Sequence, residues 1–348
     1  MPPSVRDIAK QAGVSITTVS RALNSHPDIS PKTRERVMKT ADRVGYAMKH
    51  ARPIHPGTAI AYVNASGGRL HSAYDQDLLY GMQEYLLQHQ SVDLVLTDLR
   101  DKKPDETYTQ FFDAKSVRSV VLRTGTQHRA VCEAIAAEGV PVLVVAEKFD
   151  QAEMNYVVCE SRAASQRGVE HLIHLGHKRI ALVIHRRNDG DHADREAGYH
   201  AAHEAHGLTA DPELTIRLVP NFASGGNALN QLLSLPEPPT AIFFTDPDPA
   251  IGAMCRAHAV GLQVPDEVSI LGFDDYGSRH GMFPAITAVC QNTRELGAEA
   301  ARYAMTLAEQ TTRQPVRKVT SAFLEINQTT GSAPAAPVRI MPNGNRLT

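Results

Sequence analysis

Val5-Arg6-Asp7-Ile8-Ala9-Lys10-Gln11-Ala12-Gly13-Val14-Ser15-Ile16-Thr17-Thr18-Val19-Ser20-Arg21-Ala22-Leu23-Asn24 carries two helical patterns separated by a glycine. Ser4 offers an N-cap and Asp7, three residues on, completes a capping box; Ile8, Ala9 and Ala12 then recur on one face until Gly13 breaks the helix. Ser15 caps a second helix in which Val19, Ala22 and Leu23 share a face. At about 100° per residue, Thr17 and Arg21 fall almost opposite that face, flanked by Ser20 and Asn24. Ser30-Pro31 opens a third helix, because proline is favoured at the first helical position, and this helix runs through Val37, Ala41 and Val44 to Gly45. A tight Gly-Val turn before a helix with polar outward residues, and an arginine one turn on, is the geometry of a helix-turn-helix reading the major groove. Arg21 can fork onto a guanine edge there, while Thr17 and Ile16 can pack on a thymine methyl.

Charge points the same way. Residues 1–52 hold ten Lys and Arg against four Asp and Glu, a balance of +6 in a chain whose total is −2, so the remainder carries −8. A basic head on an acidic body suits a polyanionic partner for the head alone, since cationic side chains displace counterions from phosphates. A solvated charged face is the alternative that charge alone leaves open.

Outward from the head, 348 residues with 42% hydrophobic and 21% charged composition exceed one ordinary core and predict two or three folded domains. No run approaches the ~18 apolar residues of a membrane span, and the first residues lack the apolar centre of a signal peptide. Cys132, Cys159, Cys255 and Cys290 are scattered without Cys-x-x-Cys spacing, which fits free thiols in a reducing compartment; the expected location is the cytoplasm.

With Ser30-Pro31-Lys32-Thr33-Arg34-Glu35-Arg36-Val37 and Gly45-Tyr46 added, the opening stretch closely resembles the head of the lactose-repressor (LacI) family. The resemblance implies that Ile16 and Thr17, the two positions after the capping Ser15, choose operator bases and that Arg21 adds base or backbone contacts. Ser15, Ser20, Asn24 and Thr33 complete the expected DNA-binding set. Family members continue from Gly-Tyr into Pro-Asn and a hinge helix whose leucine wedges into the minor groove. Here residues 47–57 have no Pro-Asn and no leucine, and Pro53 and Pro56 stand where a helix would continue. Two readings stay open: Met48 or Ile54 replaces the leucine, or the segment is a tether.

From Thr58 onward, apolar runs alternate with helical patterns: Ile60 to Val63, Leu94 to Leu96, Val120 to Leu122, Val142 to Val145, Ile180 to Ile184, Ile242 to Phe244 and Val268 to Phe273. Such alternation predicts parallel sheets covered by helices, in two similar lobes divided near Tyr156 to Glu160, with a ligand site between them at the C-terminal ends of the strands.

The resemblance to the repressor family extends to about Thr330 through four ordered matches. These are Gly168 to Ala181, Arg195-Glu196-Ala197-Gly198-Tyr199, Val264 to Asp275, and Gln291 with Glu295-Leu296-Gly297. It implies an N-terminal all-α helix-turn-helix head over 1–46, a linker over 47–57, and an α/β two-lobed body with parallel sheets like that of periplasmic sugar-binding proteins over 58–330. The first lobe is expected near 58–156 and 288–318, the second near 157–287 and 319–330, followed by a loose tail over 331–348. The resemblance further implies that Arg195 grips the effector with Asp274 facing it, a fork and a carboxylate able to bracket vicinal hydroxyls. Thr245-Asp246 stands where many members carry Asn-Asp, Phe222 where an aromatic stacks on a sugar, Tyr74 near the usual Asn-Pro-Phe segment, and Glu147 where an aspartate is common. For Tyr74, Phe222 and Glu147, plain packing or a solvated surface is an equal alternative.

His171, His174 and His177, and again His200, His203 and His206, recur every three residues. That spacing drifts ~60° per step around a helix, Gly176 breaks the first set, and no Cys or acidic ligand joins either set at fixed spacing, so the reading is structural and no metal is expected. No nucleophile elbow, Walker loop or dinucleotide fingerprint occurs, and neither catalysis nor a cofactor is expected. The sequence thus predicts a cytoplasmic, homodimeric, sequence-specific transcriptional regulator, a repressor of a palindromic operator on double-stranded DNA, controlled by a small polar effector such as a sugar or sugar acid, with no membrane partner. The rival readings are a solute-binding module without operator recognition and an enzyme using the interlobe cleft.

Overall fold

Ser15 and Ser30 both cap helices, the Ser15 hydroxyl accepting from the Thr18 amide at 2.9 Å and Ser30 from Thr33 at 3.2 Å. The computed structural model describes residues 5–23, 29–43, 59–65, 73–89, 92–186, 189–274, 277–309 and 314–341, which fall in two units, residues 1–56 and 57–348. In the first unit α1 (Val5–Ala12), α2 (Ile16–Leu23) and α3 (Pro31–Arg43) enclose a small core of Ile8, Ala9, Ala12, Val19, Ala22 and Val37. Gly13, at φ +64°, makes the turn from α1, a conformation that a Cβ would strain. The cap expected at Ser4, the contact expected at Asn24, and Met48 and Ile54 of the linker lie outside the described residues.

The second unit holds two sheets. Strands β1 (Ala59–Asn64), β2 (Leu94–Thr97), β3 (Val117–Arg123), β4 (Val142–Val145) and β5 (Asn155–Cys159) belong to the first. It also contains α4 (Ala73–Leu87), α5 (Tyr108–Ala114) and α6 (Arg129–Ala137). The second carries α7 (Ser161–His174), β6 (Ile180–His185), α8 (Gly190–Ala205), β7 (Thr215–Leu218), α9 (Phe222–Leu233), β8 (Ala241–Phe244), α10 (Pro247–Ala259), β9 (Ser269–Asp274) and β10 (Thr287–Gln291). The chain then returns to the first lobe for α11 (Thr293–Glu309) and β11 (Arg317–Thr320) and ends in the second with β12 (Ala322–Glu325). Strand order is β11-β5-β4-β3-β1-β2 in one sheet and β12-β10-β9-β8-β6-β7 in the other. All pairings are parallel except β12 with β10.

Both sheets are buried on two faces, which explains strands that read as continuous apolar runs. Ile60 and Tyr62 pack beneath α4 and α11 while Ala61 and Val63, one pleat away, meet the α5 and α6 side. Leu182 and Phe243 likewise serve the α7 and α8 side, and Val183 and Phe244 the α9 and α10 side. A close crossing of α4 and α11 depends on glycine: a Cβ on Gly81 would lie 1.8 Å from the Arg294 carbonyl oxygen, and one on Gly297 2.0 Å from that of Leu78.

Pairing moves the expected lobe divisions. Val157 to Cys159 lie in β5 and Val319 and Thr320 in β11, both of the first sheet, whereas Ala288 to Gln291 pair in β10 of the second. The divisions fall where a strand ends rather than where motifs cluster, and only hydrogen-bond partners reveal which sheet a short strand joins. The loose tail expected after Thr330 is also corrected, through Met341. The Ala333 amide donates to the Leu175 carbonyl at 2.8 Å, the Ile340 amide to that of Leu233 at 3.0 Å, and Ile340 is buried in the second-lobe core. An Ala- and Pro-rich segment has no periodicity to read, yet isolated apolar anchors suffice to seat it.

Candidate functional site

On α2 the helix period separates two faces. Val19 and Ala22 are buried, while Thr17 and Arg21 are exposed and Ile16 is 50% exposed. An apolar side chain left in water beside Thr17 and Arg21 is a costly arrangement for a helix whose other face is already packed, and a natural one for a base-contacting edge. Ser15 is occupied as the cap, with its hydroxyl also 2.8 Å from that of Thr18. Thr33 receives the Ser30 hydroxyl at 2.9 Å at the start of α3.

The second cluster forms where strands of both lobes end. In the second lobe, Asp189 caps α8 by accepting from the His192 amide at 2.9 Å, and its carboxylate also meets His192 Nδ1 at 2.7 Å. Nε2 of the same ring reaches Asp246 at 3.1 Å, at the start of α10. Burial favours the neutral imidazole, but the two carboxylates outweigh it and push His192 up to about 10. Burial likewise opposes ionisation of Asp189 and Asp246, and the imidazolium overcomes it, holding both below the usual carboxylate range. Arg195, one turn along α8 from Asp191, is 2% exposed. It donates from Nη1 to the Thr245 carbonyl at 2.5 Å and lies over the Phe273 ring, 3.6 Å from the centroid. The Thr245 hydroxyl donates to Asp246 at 3.1 Å.

In the first lobe, Asp75 accepts from Tyr62 Oη at 2.8 Å and from Arg123 Nε at 2.9 Å. Tyr74 is buried with the Arg123 guanidinium 4.5 Å from its ring centroid, and burial, with Asp75 next, raises the Tyr62 phenol well above its ordinary range. Glu147 accepts from Arg129 at 2.8 Å and from the Gly190 amide at the start of α8 at 2.9 Å, so it joins the lobes. Burial pushes its carboxyl up against the pull of Arg129. Lys148 bridges the lobes as well, 2.7 Å from Asp194.

The structure therefore brings Arg195, Thr245 and Asp246 together and sets Glu147 at the lobe junction. Tyr74 contributes as a platform for Arg123. Asp274, expected to face Arg195 across a ligand, is engaged within its own loop: Ser278 donates to it from N at 3.2 Å and from Oγ at 2.9 Å, and Arg279 from Nη1 at 2.7 Å. Phe222, expected beside the effector, begins α9 and is 55% exposed over a groove shared with Asn230 of α9 and Arg256 of α10. Asp75, Arg123, Asp189, Asp191 and His192 escaped the motif-based reading. The available signal was topological: Arg123 ends β3 and Asp189 to His192 follow β6, at strand C-terminal ends where doubly wound sheets bind ligands. His177, set aside as structural, is buried with its ring 2.9 Å from the Thr240 hydroxyl and 3.1 Å from both Ser269 and the Gly331 carbonyl.

Comparison with known proteins agrees with this division. Residues 4–48 match the model of bacterial regulatory proteins, lacI family, and residues 169–330 that of the periplasmic binding protein-like domain. The chain is similar to the probable HTH-type transcriptional repressor ExuR of Bacillus subtilis, at 27% identity over 87% of this chain and 91% of that one. A solved transcriptional regulator CelR–cellobiose complex superposes with a TM-score of 0.68 at 24% identity, covering 94% of this chain and 99% of that chain. The lac repressor dimer bound to operator and the anti-inducer ONPF superposes with 0.66 at 24%, covering 95% and 100%.

Proposed function

Because the chain belongs to the lacI family of bacterial regulatory proteins, we propose that it is a repressor that binds an imperfect palindromic operator as a homodimer and responds to a small polar metabolite of the carbohydrate class. The observation that carries this reading is the outward placement of Ile16, Thr17 and Arg21 on α2, opposite the buried Val19 and Ala22. One such helix spans only a few base pairs, so two heads related by a two-fold axis supply the discrimination a genome demands. The operator-bound dimer and the cellobiose complex among its structural neighbours support the partner classes.

Control follows from linkage. Glu147 to Gly190 and Lys148 to Asp194 tie the lobes in the arrangement described above. A metabolite that binds one interlobe arrangement better than another shifts the population of the dimer, and operator affinity changes by that difference in binding free energy.

Binding of the full chain to host-genome fragments, selected against random duplex across a salt series, tests the reading. A sequence preference is expected, and Arg21→Ala relaxes it at one position by ~1–3 kcal/mol. Steep salt dependence with no preference among sequences would instead identify a non-specific polycation.

A further inference from the structure

Gly190 opens α8 outside the left-handed region, so its own backbone does not require a glycine. What a side chain there would meet is the other lobe. A Cβ would lie 3.1 Å from the Ala146 carbonyl oxygen and 3.3 Å from both Cα and Cδ of Glu147. The turn after β4 is thus seated directly on the first residue of α8. Two bonds cross with it: the Gly190 amide donates to Glu147 Oε2 at 2.9 Å, and Lys148 Nζ to Asp194, one turn along the helix, at 2.7 Å.

Each half of this contact is prepared without the other. In the first lobe Arg129, at the start of α6, donates to Glu147 Oε1 at 2.8 Å and to the Lys148 carbonyl at 2.7 Å, and lies over buried Phe149, 4.3 Å from the ring centroid. The Thr126 hydroxyl donates to Glu147 Oε2 at 3.3 Å. The same turn holds Ala146 at φ +65°, in the left-handed region that is strained for a residue with a Cβ. In the second lobe Asp189 caps α8 through the His192 amide at 2.9 Å. If the lobes part, Glu147 keeps Arg129 and Thr126, while the Gly190 amide, Lys148 and Asp194 turn to water. Parting breaks few bonds and orphans no buried group, whereas docking needs both halves in register, which is the make-up of a two-state element.

We propose that the Ala146-Glu147-Lys148 turn is a latch whose docking on α8 selects one interlobe arrangement, with Arg129 as the positioning residue that keeps the turn in its docking shape and Gly190 as the seat that admits it. The latch biases the body without touching the head. Its strength therefore sets how much of the lobe equilibrium is left for an effector to shift. This rests on the reading above that the interlobe arrangement controls operator affinity.

Amide hydrogen exchange and small-angle scattering on the full-length protein, with neither DNA nor metabolite, read the docking directly. Gly190→Leu drives a side chain against Ala146 and Glu147; it is expected to speed exchange in the first turn of α8 at least tenfold and to enlarge the radius of gyration. Arg129→Gln leaves the seat intact and is expected to speed exchange of the Gly190 amide at least threefold; should Gly190→Leu fail to fold, this variant carries the test. Added to Gly190→Leu, Arg129→Gln is expected to change the α8 exchange no further, because an undocked turn has nothing left to position, whereas a merely structural arginine would add its own loss. On whatever duplex the wild type selects, the affinity of Gly190→Leu is expected to differ at least threefold. Four results would overturn the proposal: wild-type exchange and scattering in Gly190→Leu, an equally protected Gly190 amide in Arg129→Gln, additive effects of the two, or an undocked turn with unchanged operator affinity. A wild type that selects no duplex would instead sink the regulator reading and leave the exchange and scattering results standing, so the two failures are told apart.

Discussion

His192 stands between two buried carboxylates, and its removal is the sharpest test of how the second lobe holds the starts of α8 and α10 together. The side chain is 9% exposed and both ring nitrogens are used, at 2.7 Å to Asp189 and 3.1 Å to Asp246. A rise from 6.5 to about 10 corresponds to ~5 kcal/mol of preference for the charged ring. Removing one member of a buried ion-pair network costs ~3–5 kcal/mol, because the remaining charges are left uncompensated. We expect His192→Ala to destabilise the body by ~3–4 kcal/mol at pH 6, a fall of ~6–12 °C in melting temperature. His192→Gln keeps the volume but not the charge and should lose nearly as much. Below pH 6.5 the ring is protonated in folded and unfolded chains alike and the network contributes in full. As pH rises toward 10 the unfolded chain gives up its proton while the folded one retains it, and the advantage over the variants shrinks to nothing. Urea denaturation of the full chain followed by circular dichroism from pH 6 to 10 measures this directly. A loss under ~1 kcal/mol at pH 6, or a deficit that widens with rising pH, would refute the reasoning.

Gly81→Ala places a Cβ 1.8 Å from the Arg294 carbonyl and forces α4 and α11 apart; a loss of ~3 kcal/mol is expected in thermal unfolding, and a melt within error of wild type would deny the close crossing. Ile340→Ala, at a site 1% exposed in the second-lobe core, should cost ~2–5 kcal/mol and speed amide exchange of the Ile340 backbone, whereas an unseated tail would show neither. Lys148→Ala removes an interlobe ion pair whose lysine is 47% exposed, so stability should change by less than ~1 kcal/mol while small-angle scattering registers a larger radius of gyration; scattering from Lys148→Ala and Asp194→Ala that matches wild type would show that this pair does not hold the lobes.

The head was legible almost residue by residue, because a three-helix unit is set by local rules. Caps at Ser15 and Ser30, the break at Gly13 and a helical period that buries Val19 and Ala22 all act within a few positions of one another. The strand runs of the body were legible for a similar reason, since sheets covered on both faces demand uninterrupted apolar stretches. Short β7 and β11, with their half-exposed or exposed residues, gave no such run.

Sequence alone therefore determined the kind of molecule this is, a basic helix-turn-helix head and an acidic α/β body, because capping, periodicity and charge are properties of neighbouring residues. Tertiary structure decided which side chains share the lobe junction. Asp75 and Arg123 are 48 positions apart and His192 and Asp246 are 54, distances over which no pattern in the chain encodes a contact. Their meeting, the engagement of Asp274 by Arg279, and the buried carboxylate of Asp191 arise only when parallel strands bring their C-terminal ends together. Burial then turns ordinary surface residue types into a tightly matched electrostatic network.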